Sequence, residues 1–187
     1  MNKDEIAKII QSSGCMDGES WDDWIKALST KDFFQDFLGK IEDKKIIEAG
    51  CGRNPLFDYF VKDGKDTSYV GVDLYLNKSL DGLKSDKIDF VKSDALTFLL
   101  NQPNESAVVI SAGFFDPVLF SFNSLAERYF DACVKEMSRI MPKDSVAFHF
   151  VAYNSYDFLS KSFSERNLNL LKPELKLLLF GGKGGVG

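Results

Sequence analysis

The sequence is poor in the residues that build metal centres and disulfide frameworks. Its 187 residues include a single histidine and three cysteines, which are Cys15, Cys51 and Cys133. The cysteines are odd in number and far apart, and no Cys-x-x-Cys pair occurs, which argues against a disulfide framework. A zinc site is disfavoured as well. Zinc sites usually take Cys and His ligands that are closely spaced along the chain, and no histidine lies near the cysteines here. We expect no metal, and reduced cysteines are typical of the cytoplasm.

Basic clusters and long apolar runs are also absent. No block of Lys or Arg is longer than two residues and the formal net charge is −5, so a nucleic-acid backbone is not expected as the main partner. No apolar run approaches the roughly 18 residues that a membrane span needs. The first residues, Met-Asn-Lys-Asp-Glu, are too charged for a secretory signal. These absences predict a cytoplasmic protein without a membrane span.

The composition suits one domain with a substantial core, since 44% of the residues are hydrophobic and 17 are phenylalanine. From Lys44 onward, strand and helix patterns alternate, which predicts an α/β fold with a doubly wound, mostly parallel sheet. Strands are predicted at 45–49, 69–73, 88–92, 106–111 and 145–151. Helices are predicted at 55–63, 77–84, 95–101, 124–140 and 155–163.

Amphipathic helices precede the sheet. Three are predicted within residues 3 to about 40, and their apolar faces are formed by Ile6, Ile9 and Ile10, by Trp21, Trp24, Ile25 and Leu28, and by Phe33, Phe34, Phe37 and Leu38. Ser20 can cap the second helix. We divide the chain into an N-terminal helical segment (1–43), an α/β domain (44–170) and a final strand with a Gly-rich tail (171–187).

A Gly-rich turn after the first predicted strand is the most informative feature. The apolar run Lys45–Ala49 contains Glu48 and leads into Gly50-Cys51-Gly52. Glycine permits a tight turn and a close approach of the backbone to a ligand. Asn54-Pro55 can then begin the next helix. Strand, Gly-rich turn and helix together predict a nucleotide-type site at the carboxyl end of a parallel sheet.

Three further signals follow at the ends of the next three predicted strands. They are Asp73-Leu74, Asp94-Ala95 and Ser111-Ala112-Gly113. An acid at Asp73, about 21 residues beyond the turn, is placed to accept hydrogen bonds from ribose hydroxyls. Asp94 can sit beside an adenine ring and can also be the N-cap of the helix that follows. The order and spacing of the signals carry more weight than any one of them.

The series resembles the class I S-adenosylmethionine-dependent methyltransferases over roughly residues 44–151. The resemblance implies a Rossmann-like fold, S-adenosylmethionine as the cofactor, and methyl transfer to a protein side chain or a small molecule. The cofactor-binding residues that it implies are Glu48, Gly50, Cys51, Gly52, Asp73, Leu74, Asp94, Ala95, Ser111 and Gly113. Met141-Pro142-Lys143-Asp144 resembles the family's turn before the fifth strand, although both glycines of that turn are missing.

A dinucleotide is the rival cofactor. Its fingerprint has a third glycine that lets a helix pack beneath the pyrophosphate, and here Pro55 stands three positions after Gly52. Glu48 would repel a phosphate, whereas a carboxylate can receive the cationic methionine end of S-adenosylmethionine, directly or through water. An NAD-dependent oxidoreductase is therefore the weaker alternative.

The acceptor side offers three candidate residues. Asp116 lies in Phe114-Phe115-Asp116-Pro117, which imperfectly resembles the Asp-Pro-Pro-aromatic loop of amino-group methyltransferases. His149 is either a packed core residue or a base, and Tyr153 lines an acceptor pocket or belongs to a capping loop. Ser20–Trp24 resembles a Trp-Asp helix of some small methyltransferases, where it is either core packing or a lid. The acceptor itself is not identified.

The tail has a resemblance of its own. A predicted strand at 175–180 leads into Gly-Gly-Lys-Gly-Gly-Val-Gly, which resembles the P-loop that opens the arsenite-pump and tail-anchored-protein-targeting ATPases. The chain stops before the Lys and Ser or Thr that complete a phosphate site. We favour a fusion to such an ATPase, in which the last strand pair of the sheet is shortened or missing. An exposed edge would then favour a homo-oligomer.

Two alternatives remain at this point. The segment 175–180 can instead be the sixth strand of the sheet, followed by frayed glycines. The whole chain can also be a non-catalytic module of the methyltransferase fold that is associated with, or fused to, a P-loop ATPase.

Overall fold

The structure is a computed structural model that describes residues 1–12, 29–52, 56–61, 65–115, 124–143, 145–150, 160–162, 164–165, 169–170 and 177–181. Its helices are α1 (Lys3–Ser12), α2 (Asp32–Lys40), α3 (Phe57–Phe60), α4 (Ala95–Leu100) and α5 (Ser124–Ile140), with a 3₁₀ helix at Lys78–Leu83. Its strands are β1 (Lys45–Ala49), β2 (Ser68–Asp73), β3 (Ile88–Lys92), β4 (Val108–Ala112), β5 (Val146–Phe150), β6 (Asn169–Leu170) and β7 (Leu177–Gly181).

The strands form one sheet in the order β3-β2-β1-β4-β5-β7-β6. β1 to β5 are mutually parallel, whereas β7 is antiparallel to both β5 and β6. The Rossmann-like α/β fold with a doubly wound, mostly parallel sheet is thereby confirmed. All five strands predicted from apolar runs are present, with bounds that shift by at most two residues.

Helices differ more from the prediction than strands do. The predicted helix 77–84 is a 3₁₀ helix, and 55–63 is reduced among the described residues to α3, because Val61 is already extended (φ −89°, ψ 113°). The predicted helix at Trp21–Leu28 and most of 155–163 lie outside the described residues. Within the part that is described, no helix combines the length and apolarity needed to cross a membrane.

The central strands are buried on both faces, and successive side chains of β1 point to opposite cores. Ile47 faces the core built with α1, α4 and α5, while Ile46 faces the core built with α2 and α3. In the second core, the rings of Phe34 and Phe37 lie 5.5 and 5.7 Å from the ring of Phe148. Each such buried aromatic contributes about 1.5–3 kcal/mol, so α2 belongs to the same folded unit as the sheet.

The last strand pair covers the edge of β5. Residues Val146–Phe150 pair with Leu177–Gly181, and β6 pairs with β7 through two residues. We expected this pair to be shortened or missing. Both strands are present, β6 has only two residues, and β5 is not left as the exposed edge that we expected. Both interpretations of the tail included a strand here. Residues 182–187 lie beyond the described part, so the resemblance to an ATPase loop stays a prediction.

Candidate functional site

The sheet order creates a switch point between β1 and β4. β2 and β3 lie on one side of β1, while β4 and β5 lie on the other. In open α/β sheets, ligands bind in the crevice at the carboxyl ends of the strands at such a point. The segments that follow β1, β2, β3 and β4 are Gly50–Gly52, Asp73–Tyr75, Ser93–Ala95 and Gly113–Phe115. Eight of the ten predicted cofactor residues therefore share one edge of the sheet, whereas Glu48 and Ser111 lie within β1 and β4.

The Gly-rich turn is fixed by hydrogen bonds to the end of β2. The backbone N–H groups of Gly50 and Cys51 donate to the carbonyl of Val72, at 2.8 and 3.2 Å. The N–H of Gly52 donates to Oδ2 of Asp73 at 2.9 Å. Gly50 and Gly52 adopt φ angles of +72° and +56°, in the left-handed region that favours glycine. The predicted turn and the predicted ribose-side acid are thus directly connected.

The backbone of Gly52 remains accessible. A Cβ built on Gly52 would meet no described atom within 4 Å outside its two chain neighbours. A Gly-rich turn with an open face and a carboxylate beneath it suits a nucleoside ligand, whose hydroxyls need acceptors and whose chain needs room beside the backbone.

Asp73 uses each carboxylate oxygen for one backbone group. Oδ2 accepts from Gly52, and Oδ1 accepts from the N–H of Tyr75 at 2.8 Å. An ionised carboxylate has about four acceptor positions, so each oxygen can still take one more hydrogen bond. Asp73 and its neighbour Leu74 are half-buried. Asp73 can therefore order the turn and accept ligand hydroxyls at the same time.

Glu48 lies behind the turn. Its side chain is 1% exposed, and its Oε2 accepts from the N–H of Leu56 at 2.8 Å and from the hydroxyl of Tyr69. Burial, and secondly the charge of Glu48, raise the pKa of Tyr69 well above its usual range. The direct contact with a ligand that the sequence suggested for Glu48 does not fit this geometry, since the carboxylate instead holds the start of α3.

Cys51 is a packing residue within the turn. The side chain is 3% exposed, and a Cβ at Gly71 would lie 2.9 Å from its Sγ. Burial, followed by the charges of Glu48 and Asp73, raises the pKa of the thiol far above its usual range. A thiol that stays protonated is a poor nucleophile, so only the backbone of Cys51 is suited to contact a ligand.

Asp94 is the N-cap of α4, as the sequence predicted. Its Oδ1 accepts from the N–H of Thr97 at 2.9 Å and, more weakly, from the hydroxyl of Tyr129 at 3.4 Å. Asp94 and Ala95 are 8% and 5% exposed. Tyr129 was missed by sequence reasoning, although an aromatic residue with a polar tip on the buried face of a long helix is the available signal.

Ser111 and His149 form a buried pair instead of lining the crevice. They face each other across β4 and β5, with Ser111 Oγ 2.9 Å from His149 Nδ1, and both are 0% exposed. Burial lowers the pKa of His149 to about 3, so its imidazole is neutral at pH 7. The side chain of Ser111, which was predicted to bind the cofactor, is buried in the core. Of the two interpretations of His149, a packed core residue or a base, the structure favours the packed core residue.

The contact between Phe114 and Gly50 was not predicted from the sequence. Phe114 follows Gly113, whose φ is +75°, and its side chain packs on the Cα of Gly50. A Cβ at Gly50 would lie 3.0 Å from Cδ2 and 3.1 Å from Cβ of Phe114. Phe115 and Phe130 contact the Phe114 ring at centroid distances of 4.8 and 6.0 Å. β1 and β4 are therefore joined at the crevice by an aromatic wall.

Asp116 and Tyr153 lie outside the described residues, as do Arg53, Asn54 and Pro55. The site described is thus the cofactor side of the crevice together with the wall at Phe114.

Comparison with known proteins adds evidence on the fold. No protein-family model matches the chain, and no curated protein matches it in sequence. A SAM-dependent methyltransferase from Archaeoglobus fulgidus is similar over 79% of this chain and 69% of its own, with a TM-score of 0.56 and 16% identity. One from Aquifex aeolicus covers 74% and 79%, with a TM-score of 0.53 and 12% identity.

The chain shares its Rossmann-like fold with these methyltransferases. The [4+2]-cyclase SpnF is also similar, over 90% of this chain and 70% of its own, with a TM-score of 0.56 and 13% identity. At such identities the likeness concerns the fold, and function has to be argued from the site.

Proposed function

We propose that the protein is an S-adenosylmethionine-dependent methyltransferase. The observation that carries the proposal is the pairing of Gly52 with Asp73 at the switch point of the sheet. It supplies an open Gly-rich backbone beside a half-buried carboxylate that has acceptor capacity left. This is the combination that a ribose and its attached chain require.

The positions of Asp73 and Asp94 distinguish two ends of the crevice. Asp73 and Asp94 follow β2 and β3, on one side of the switch point, and suit the ribose hydroxyls and the exocyclic amine of adenine. The methionine end of the cofactor would then lie toward β1 and β4, beside Gly50 and Gly113. Leu74 and Ala95 supply apolar surface near the two acids.

Methyl transfer from a sulfonium requires little of the protein beyond the alignment of the methyl group with its acceptor. The bound cofactor would supply a methyl group already activated by a sulfonium. The residues of the chain hold that end in line with an acceptor and keep water away. His149 is buried and neutral, which disfavours it as a base for an acceptor in the crevice. Of the three candidates from the sequence, Asp116 and Tyr153 therefore remain for an acceptor, a protein side chain or a small molecule, that has to lose a proton.

Calorimetric titration with S-adenosylmethionine and S-adenosylhomocysteine tests the proposal. We expect saturable binding of both, and Asp73→Ala should weaken it by about tenfold or more, because a charge-assisted hydrogen bond and the order of the turn are lost together. Asp86→Ala is the matched control, since Asp86 is an exposed acid in the loop before β3. Binding that is unaffected by Asp73→Ala would contradict the proposed site.

The rival cofactor is tested in the same experiment. An NAD-dependent oxidoreductase, the weaker alternative, predicts binding of NAD and none of S-adenosylhomocysteine. The absence of the third glycine and the presence of Glu48 behind the turn speak against a pyrophosphate.

A non-catalytic module of the same fold is the second candidate function. It predicts a closed cleft at Gly50–Gly52, and the packing of Phe114 on Gly50 favours it in part, whereas the accessible backbone of Gly52 does not. In that case wild-type protein should bind neither adenosyl ligand, and Phe114→Ala should create binding by opening the crevice. Association with a P-loop ATPase rests on the resemblance of the tail alone, and pull-down with such an ATPase domain tests it.

A further inference from the structure

Phe114 lies at the switch point, between the two halves of the sheet. Phe114 comes from the end of β4, and Gly50 comes from the end of β1, the neighbouring strand across the switch point. Atoms of Phe114 lie 3.0 and 3.1 Å from the position that a Cβ on Gly50 would occupy. A ligand that follows the turn from Gly52 toward Gly50 must therefore meet this side chain.

The ring of Phe114 packs against two further aromatic side chains, so it cannot turn away without losing these contacts. Phe115 and Phe130 contact it at interplanar angles of 67° and 79°, and Phe114 is only 8% exposed. Edge-to-face contacts of this kind add about 0.5–1.5 kcal/mol each beyond burial. Displacing the ring would break both contacts and open the core beneath it.

The local charges define what the wall would contact. Asp73 and Asp94 stand at the β2 and β3 end of the crevice, so the opposite end of the ligand lies at Phe114. Glu48, the carboxylate nearest in sequence to the turn, is buried and already accepts hydrogen bonds from Leu56 and Tyr69. Among the described residues named at this end of the crevice, the aromatic ring is thus the group that can attract a cation without being a nucleophile itself.

We propose that Phe114 recognises the positive charge of the sulfonium, and thereby distinguishes the methyl donor from its neutral product. The inference rests on the proposed function and deepens it. An aromatic face attracts a cation within about 6 Å of its centroid, and the attraction grows when water is excluded. Phe114 is then a specificity-determining residue that contacts the cofactor at its reacting end.

The test compares the affinities of S-adenosylmethionine and S-adenosylhomocysteine by calorimetry in wild type, Phe114→Leu and Phe114→Tyr. In Phe114→Leu, the preference for the sulfonium relative to the thioether should fall by about 2- to 30-fold, and Phe114→Tyr should retain it. Phe33→Leu is the matched control, because Phe33 is a partly buried phenylalanine of α2 that packs against the other core. That variant should leave the ratio unchanged.

Ring-fluorinated phenylalanines at position 114 provide a second measurement that preserves shape and packing. Successive fluorination weakens the negative face of the ring, so affinity for S-adenosylmethionine should fall stepwise while that for S-adenosylhomocysteine stays constant. An equal loss for both ligands would overturn the inference in favour of a purely steric wall. Tighter binding of both ligands to Phe114→Leu would overturn it in favour of a plug. If the wild-type protein binds neither ligand, the proposed function itself is refuted. If it binds both ligands and their affinity ratio does not depend on Phe114, only the inference about Phe114 is refuted.

Discussion

Replacing Gly50 with alanine should destabilise the fold by about 2–5 kcal/mol. Two costs add at this position. A non-glycine residue in the left-handed region costs about 1–2 kcal/mol, and Gly50 has φ +72°. The new Cβ would also lie 3.0 Å from the ring of Phe114, and overpacking of a filled core typically costs about 1–3 kcal/mol. Urea unfolding, followed by circular dichroism, measures the sum.

Two other glycines separate these costs. Gly52 shares the left-handed conformation, with φ +56°, but a Cβ there meets no described atom within 4 Å, so Gly52→Ala should cost only about 1–2 kcal/mol. Gly39 lies in α2, with equally open space around it, and Gly39→Ala should stabilise the protein by about 0.5–1 kcal/mol. The difference between the first two variants isolates the contact with Phe114.

A double-mutant cycle completes the argument. Phe114→Leu should relieve part of the cost of Gly50→Ala, because the smaller side chain leaves room for the added methyl group. The reasoning is refuted if Gly50→Ala costs no more than Gly52→Ala, or if the two substitutions at Gly50 and Phe114 are simply additive. Either result would mean that the turn and the wall are not in contact.

Three further substitutions test the buried polar groups. Asp94→Ala should cost about 0.5–2 kcal/mol in urea unfolding because α4 loses its N-cap bond to Thr97, and Asp94→Ser should recover most of it. Tyr69→Phe should cost about 1–3 kcal/mol, since the buried carboxylate of Glu48 loses a donor; a cost near zero would contradict the assigned contact. The folded pKa of His149, about 3, lies below its unfolded value. Its stabilising contribution is therefore complete above about pH 6.5 and is lost as the pH falls toward 3, by about 1.4 kcal/mol per unit. A His149→Asn variant should not show this loss. If the free energy of unfolding depends on pH in the same way in wild type and in this variant, the result would count against a buried neutral imidazole.

The parts of the fold that the sequence predicted are those set by local chemistry. The apolar runs gave the five parallel strands, because strands buried on both faces are continuously hydrophobic. Gly50 and Gly52 predicted the turn because the backbone needs positive φ there. Asp94 predicted the start of α4 because a side-chain acceptor must satisfy a free N–H of the first turn.

The parts that could not be predicted depend on which residues meet in space. Nothing local in the sequence shows that Glu48 turns toward Tyr69 instead of the crevice, since the alternation of β1 fixes the face but not the partner. Phe114 was part of a quoted motif, yet its contact with Gly50 follows from the adjacency of β1 and β4. The covering of β5 by β7 similarly depends on a pairing between distant segments, which local patterns do not specify.

The most direct test of the central claim is an NMR titration of protein labelled with ¹⁵N at its 14 glycines, using S-adenosylhomocysteine. The account predicts saturable shifts for the amides of Gly50, Gly52 and Gly113, which surround the switch point of the sheet. Gly39, in α2, and Gly82, in the 3₁₀ helix, should not move. An absence of any shift at millimolar ligand, or shifts confined to Gly39 and Gly82, would contradict a cofactor site in this crevice.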